Sequence, residues 1–322
     1  MRSFKKAAVF LILVLFLAAN ALLSYILYPY TYTRAMYREI KNPGYDTLIV
    51  GGSHSKCGID PAVLKSAAGV SAINAAQGGE HTIDMYYLVQ EAAARTDLRT
   101  VICEIDPSYW VAEPNQTSEY VLLYHEFPLS VRKAGYFAGK MLTADFRTAP
   151  FEWYLYRQQA AHLKERILEK RSEAYRNCDI GQFTDEVQSY HRDGFIARFR
   201  VDAGTTREDT PALFERGDLN AEEQKYFKKL AGFCRKEGIA LVAVITPVPE
   251  TSYERYRANY EDAAAWFEAF MAENDVRFIN YLNQKNEVPH DLADFCDNEG
   301  HMFEDTAARF TKVLAEDIYD EK

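Results

Sequence analysis

The sequence predicts an α/β fold built on a five-stranded parallel sheet, preceded by an N-terminal transmembrane helix. Three observations predict it. Five short runs rich in Val, Ile, Leu and Ala stand at 47–50, 72–75, 100–105, 240–245 and 276–281. Several are continuous apolar runs, as expected of parallel strands covered on both faces. Helix-like segments lie between them, which is the rhythm of βαβ units. Finally, residues 7–27 carry no charge. About 21 helical residues reach roughly 31 Å, enough for a bilayer core.

The elements follow in order. Met1-Arg-Ser-Phe-Lys-Lys6 is basic, which predicts a cytoplasmic N-terminus and an exported body. Ala19-Asn-Ala21 resembles a signal-peptidase site, but the apolar run continues to Leu27. Signal cores run about 7–15 residues, so an uncleaved anchor is favoured. No lipobox-like cysteine stands near the span. The organisation read from the chain is a cytoplasmic tip and anchor at 1–28, a Tyr/Arg-rich linker at 29–44, and an α/β domain at 45–322. Asp60-Pro61 opens a short helix with proline in its first turn, and 82–96 reads as a second helix. Asn220-Ala-Glu-Glu223 reads as a capping box, with Asn in place of Ser or Thr. It opens a helix ending at Gly238. Residues 253–274 read as another helix. A last one, 304–319, carries Phe310, Val313, Leu314 and Ile318 at helical spacing. Residues 107–219 break the rhythm and read as an aromatic-rich helical insertion after the third strand. Its helix-like stretches are 130–141 and 151–175, and the charged run 164–176 reads as a solvated face. Substrate shaping, membrane contact and oligomerisation are its candidate uses.

The 322 residues carry a formal charge of −10, and the first 28 contribute only basic residues. The exported part is therefore more acidic still, which argues against nucleic acid as a partner. Five cysteines at 57, 103, 178, 234 and 296 give neither a disulfide framework nor a CxxC metal motif. Cys103 and Cys234 read as core residues. Cys57 and Cys296 flank the candidate site, and their pairing is left open.

The candidate site begins at Gly51-Gly52-Ser53-His54, directly after the first strand. A serine on a sharp turn at the carboxyl end of a strand sits where open α/β sheets place their chemistry. Asp297-Asn-Glu-Gly-His301 supplies an acid and an imidazole late in the chain. Ser53 is the candidate nucleophile, His301 the base and Asp297 its orienting acid, with Asp294 and Glu299 as alternatives. Triads are recognised by roles rather than chain order. Asn74-Ala-Ala-Gln77-Gly78-Gly79, after the second strand, offers oxyanion or substrate-binding donors. Gly52, His54 and Asp106 border the same edge, and His81 is ambiguous.

These three blocks resemble the SGNH/GDSL hydrolase superfamily, and the anchor with the Gly-x-Ser-His form resembles its DltD-like membrane-anchored branch. The resemblance covers about 45–110 and 220–320. It implies a flavodoxin-like three-layer α/β/α fold, and ester hydrolysis or O-acyl transfer through an acyl-enzyme on Ser53. No metal or other cofactor is implied. It also implies acylated glycans or other envelope polymers as substrates, and a membrane-bound O-acyltransferase as partner. Two departures stand out. Asp297 and His301 are one residue further apart than the family's acid and histidine. Asp106-Pro-Ser-Tyr109 stands where the family's oxyanion Asn follows the third strand, so Asn74 or Gln77 would have to substitute. The alternative function is an inactive relative that binds or scaffolds envelope polysaccharide.

Overall fold

The computed structural model describes residues 2–111, 118–144, 146–200, 213–282 and 288–320. Parts of the predicted insertion, at 112–117, 145 and 201–212, lie outside the described residues. Helices α1 (Arg2–Leu27) and α2 (Tyr32–Ile40) precede β1 (Thr47–Val50). Then come α3 (Ser53–Gly58), α4 (Pro61–Ala68), β2 (Ala72–Asn74), α5 (Thr82–Ala93) and β3 (Thr100–Glu104). The region after β3 holds α6 (Ser118–Glu126), α7 (Val131–Tyr136), α8 (Leu163–Arg171), α9 (Glu173–Arg176) and a hairpin of β4 (Gln188–Tyr190) and β5 (Ile196–Arg198). The chain closes with α10 (Ala221–Glu237), β6 (Ala240–Ile245), α11 (Glu250–Arg255), α12 (Arg257–Glu273), β7 (Arg277–Asn280) and α13 (Glu304–Tyr319).

Five strands form at the predicted positions and pair in parallel in the order β2-β1-β3-β6-β7. Ile49, Ile102, Val242 and Val244 share one apolar cluster with Leu64 of α4 and Phe310 and Leu314 of α13. Cys103 contacts Met85 of α5 at 3.6 Å between the sulfurs. The insertion is not purely helical, because β4 and β5 pair antiparallel within it. Their turn docks on the edge strand: the Asp193 carbonyl accepts the Asn74 amide at 2.7 Å. A Cβ on Gly194 would lie 1.9 Å from the Asn74 carbonyl oxygen, so only glycine fits this approach.

The chain divides into two compact units, Met1–Thr31 with Tyr124–Asp179 and Tyr32–Leu123 with Ile180–Lys322. The predicted insertion is thus shared between them rather than forming one body. The expected linker at 29–44 is corrected too. It contains α2, whose Thr33, Ala35, Met36, Tyr37 and Ile40 are buried. The helix predicted at 253–274 is broken at Tyr256 into α11 and α12. In the first unit, Phe4–Leu27 of α1 is long and apolar enough to cross a membrane. All five cysteines are free thiols, so Cys57 and Cys296 are not paired.

The predicted capping box resolves differently. Asn220 accepts the Glu222 amide at 2.9 Å, as an N-cap should. Glu223, however, is buried and reaches away from its own helix. It bonds His81 Nδ1 at 2.7 Å and the Thr82 amide at 2.9 Å. It therefore caps the start of α5 and ties α10 to it, which assigns His81 to structure.

Candidate active site

Ser53 is the first residue of α3, immediately beyond the carboxyl end of β1. Gly51 makes the turn with φ at 147°, and a Cβ there would fall 2.6 Å from Glu104 Oε2. The turn is therefore closed to larger residues from both the backbone and the packing side.

The late block folds back onto this turn. His301 Nε2 lies 2.7 Å from Ser53 Oγ. His301 Nδ1 lies 2.6 Å from Asp297 Oδ2. The other carboxylate oxygen, Oδ1, accepts the backbone amides of Glu299, Gly300 and His301 at 3.0, 3.0 and 3.2 Å. Asp297 thus caps its own tight turn, which brings His301 back to it despite the longer spacing. Burial alone would raise the Asp297 carboxyl; the His301 hydrogen bond and charge outweigh it and hold the group well below the usual carboxylate range. Of the alternatives, Asp294 is engaged elsewhere, pairing with Arg200 and Arg309. Glu299 lines the cavity beside Ser53.

The predicted donors fare differently. Asn74 is fully buried, and its Nδ2 donates to the Ser55 and Ile59 carbonyls, both at 2.8 Å. It holds α3 against β2 and has no donor left for a substrate. Gln77 donates to the Ala75 carbonyl and accepts from Thr33 and Lys56. The Gly52 amide donates to Glu104 Oε2 at 2.6 Å, and the Gly79 amide to Tyr109 Oη at 3.3 Å. The Asn74 side-chain amide and the Gly52 and Gly79 backbone amides are thus already engaged within the protein, whereas Gln77 Nε2 donates one of its two N–H groups to the Ala75 carbonyl. The Ser53 amide opens a helix and so has no intrahelical partner. Gly78 lies in a turn held beside Ser53's own turn by the Gln77 amide, which donates to the Gly51 carbonyl at 3.0 Å.

His54 stands beside the catalytic candidates. Its ring centroid is 4.6 Å from that of His301. Its Nδ1 lies 3.5 Å from Asp106 Oδ2 and 3.9 Å from Glu104 Oε1. Asp106 also accepts the Ser108 amide and hydroxyl, capping a short 3-10 turn. Glu104 is the residue the sequence reading missed. Burial pushes its carboxyl up to about 7, against the lowering effect of His54. Its signal was present: an acid inside the apolar run Val101-Ile-Cys-Glu104-Ile105 must be paired or protonated once buried. The ligand atoms of His54, Glu104 and Asp106 lie within 4.8 Å of one another, so these three residues could hold a cation. In a second such group, with Glu299, both His301 nitrogens are already committed to Asp297 and Ser53.

A cavity of about 290 Å³ opens beside Ser53. Ile105, Tyr109, Phe214, Val248, Tyr260 and Leu282 form its apolar part. Tyr109 and Phe214 belong to the predicted insertion, so that region does shape the cavity. No protein-family model and no curated protein matches the chain. The functional reading therefore rests on the geometry above and on the three sequence blocks.

Proposed function

We propose that this protein is a membrane-anchored serine esterase or O-acyltransferase of the SGNH/GDSL type, closest in pattern to the DltD-like branch. The observation that carries the reading is the unbroken line from Ser53 Oγ through both His301 nitrogens to Asp297. In that line His301 Nε2 takes the Ser53 proton as Oγ attacks an ester carbonyl. Asp297 holds the imidazole by Nδ1 and stabilises its charged form. The tetrahedral oxyanion is met by the Ser53 amide and the amide of Gly78. Collapse releases the alcohol, which receives the proton from His301, and leaves an acyl group on Ser53. Water or a glycan hydroxyl then takes the acyl group by the reverse sequence.

The strand order supports the flavodoxin-like three-layer arrangement, in which sites lie beyond the carboxyl ends of the strands. Helix α1 supports an anchor, and the basic first residues support a cytoplasmic N-terminus with the site outside. An acylated envelope polymer and a membrane-bound O-acyltransferase are the partners proposed with this reading.

The test is fluorophosphonate labelling of the full-length protein in detergent. Wild type should gain the probe's mass at Ser53, whereas Ser53→Ala and His301→Ala should not. A folded wild type that takes no label sinks the acyl-enzyme reading. It would favour the polysaccharide-binding alternative, which the internally committed Asn74 and Gly52 donors support.

A further inference from the structure

In the first unit, α1 does not run free along its apolar length. Asn20 Nδ2 donates to the Pro150 carbonyl at 2.9 Å, and Trp153 Nε1 donates to Asn20 Oδ1 at 2.8 Å. One turn earlier, Phe16 meets Phe151 edge-on, with ring centroids 6.0 Å apart. The 150–153 stretch is therefore fixed at the level of Phe16 and Asn20. The apolar span runs seven residues further, to Leu27.

That level fixes a depth. A helix rises about 1.5 Å per residue, and a hydrocarbon core about 30 Å thick takes about 20 residues. Counting from Phe4, the earliest start, with Lys5 and Lys6 snorkelling, the core reaches about Leu23. Asn20 then lies about 5 Å inside the boundary and Phe16 about 10 Å inside. A later start puts both deeper. Whatever is bonded to them shares that depth.

The surface there has the corresponding chemistry. The 3-10 helix Glu152–His162 buries none of its residues, although it begins Glu-Trp-Tyr-Leu-Tyr. Leu142 and Phe146 are 64% and 60% exposed. The Tyr154 ring carries the Arg147 and Arg157 guanidiniums at 4.7 and 4.3 Å. Trp and Tyr with apolar neighbours and arginine are the composition of the membrane–water boundary.

We propose that residues 146–157, with Leu142 beside them, form an interfacial membrane element, seated about 5–10 Å into the headgroup and acyl boundary at the carboxyl end of α1. This rests on α1 crossing a bilayer. The occupant is lipid rather than a protein, because a spanning α1 surrounds this segment with lipid at that depth.

The chain's three tryptophans make the test direct. Full-length protein is placed in phosphatidylcholine nanodiscs brominated at acyl carbons 6,7 or 11,12, and its emission is compared with that of Trp153→Phe. Quenching by the 6,7 lipid that exceeds the 11,12 effect, and disappears in Trp153→Phe, supports the proposal. Phe146→Trp, at an exposed position, should add emission that the 6,7 lipid quenches. The proposal is overturned if neither reporter responds to bromolipid while the protein floats with liposomes. It is also overturned by quenching that a soluble protein partner, but not lipid, produces. Failure to float would remove the anchor itself, and the proposal with it, while leaving the labelling of Ser53 untouched.

Discussion

The two sides of the candidate site are built on different terms. On the acid–base side, every polar atom faces the reacting position or supports one that does: Ser53 meets His301, His301 meets Asp297, and three amides hold Asp297. On the opposite side, donors bind within the protein. Asn74 and Gln77 bind neighbouring backbone, and Gly52 binds Glu104. The contrast teaches that residue type alone does not identify an oxyanion donor. A polar residue beside a nucleophile turn is equally suited to holding that turn in shape.

The largest expected effect tests the first side. Ser53→Ala or His301→Ala should lower ester turnover by about 10⁶, as removal of a nucleophile or base does in serine hydrolases. Asp297→Asn should cost about 10⁴, by allowing the wrong imidazole tautomer. Asp294→Asn should stay within about threefold of wild type, since its carboxylate is paired with Arg200 and Arg309. Initial rates on a chromogenic ester would read all of these. A loss for Asp294→Asn as large as that for Asp297→Asn would break the assignment of the acid.

Asn74→Ala sharpens the comparison from the other side. An oxyanion donor is worth about 10²–10³ in rate. Loss of a structural amide instead strips the buried Ile59 carbonyl of its Asn74 donor, at about 1–3 kcal/mol, while the Ser55 carbonyl keeps the Ile59 amide. We expect a lower urea midpoint for Asn74→Ala, with any ester turnover of the folded protein within about threefold of wild type. A hundredfold drop in kcat with unchanged stability would return Asn74 to the oxyanion hole.

The smallest effect concerns Glu104, whose carboxyl rises from 4.5 to about 7 on folding. Between those values the folded state binds more protons than the unfolded chain, so this group's contribution to stability falls as pH rises. It is fully present below pH 4.5 and lost by the time pH passes 7. Glu104→Gln removes the dependence. Its Tm relative to wild type should therefore climb across that window and level off above it. A Tm difference independent of pH would show that folding leaves the Glu104 carboxyl unshifted.

Much of the fold was legible because the strands are short apolar runs with little else to become. β1, β6 and α13 fall at their predicted bounds. What sequence hid were interactions between distant segments. Glu223 follows Asn220 at capping-box spacing, yet its carboxylate serves α5, more than a hundred residues earlier. The stretch at 29–44 looked like a linker because its tyrosines and arginines are polar at their tips. In the fold, Tyr37 is buried and its hydroxyl donates to Glu91. The triad was readable because glycines, serine and histidine gather at a strand end. Its donors were not, because several polar residues there had equal local claims.

The turn of the β4–β5 hairpin, pressed against Asn74, has a consequence beyond its own packing. An outermost strand presents unpaired amides and carbonyls on which another chain can template itself. Here the Asp193 carbonyl occupies the Asn74 amide, and the glycine beside it lets the backbone close over the strand. The hairpin thus acts as a built-in stopper against strand-to-strand polymerisation. Enlarging Gly194, whose Cβ would clash with the Asn74 carbonyl, should lift the hairpin from the strand and favour self-association.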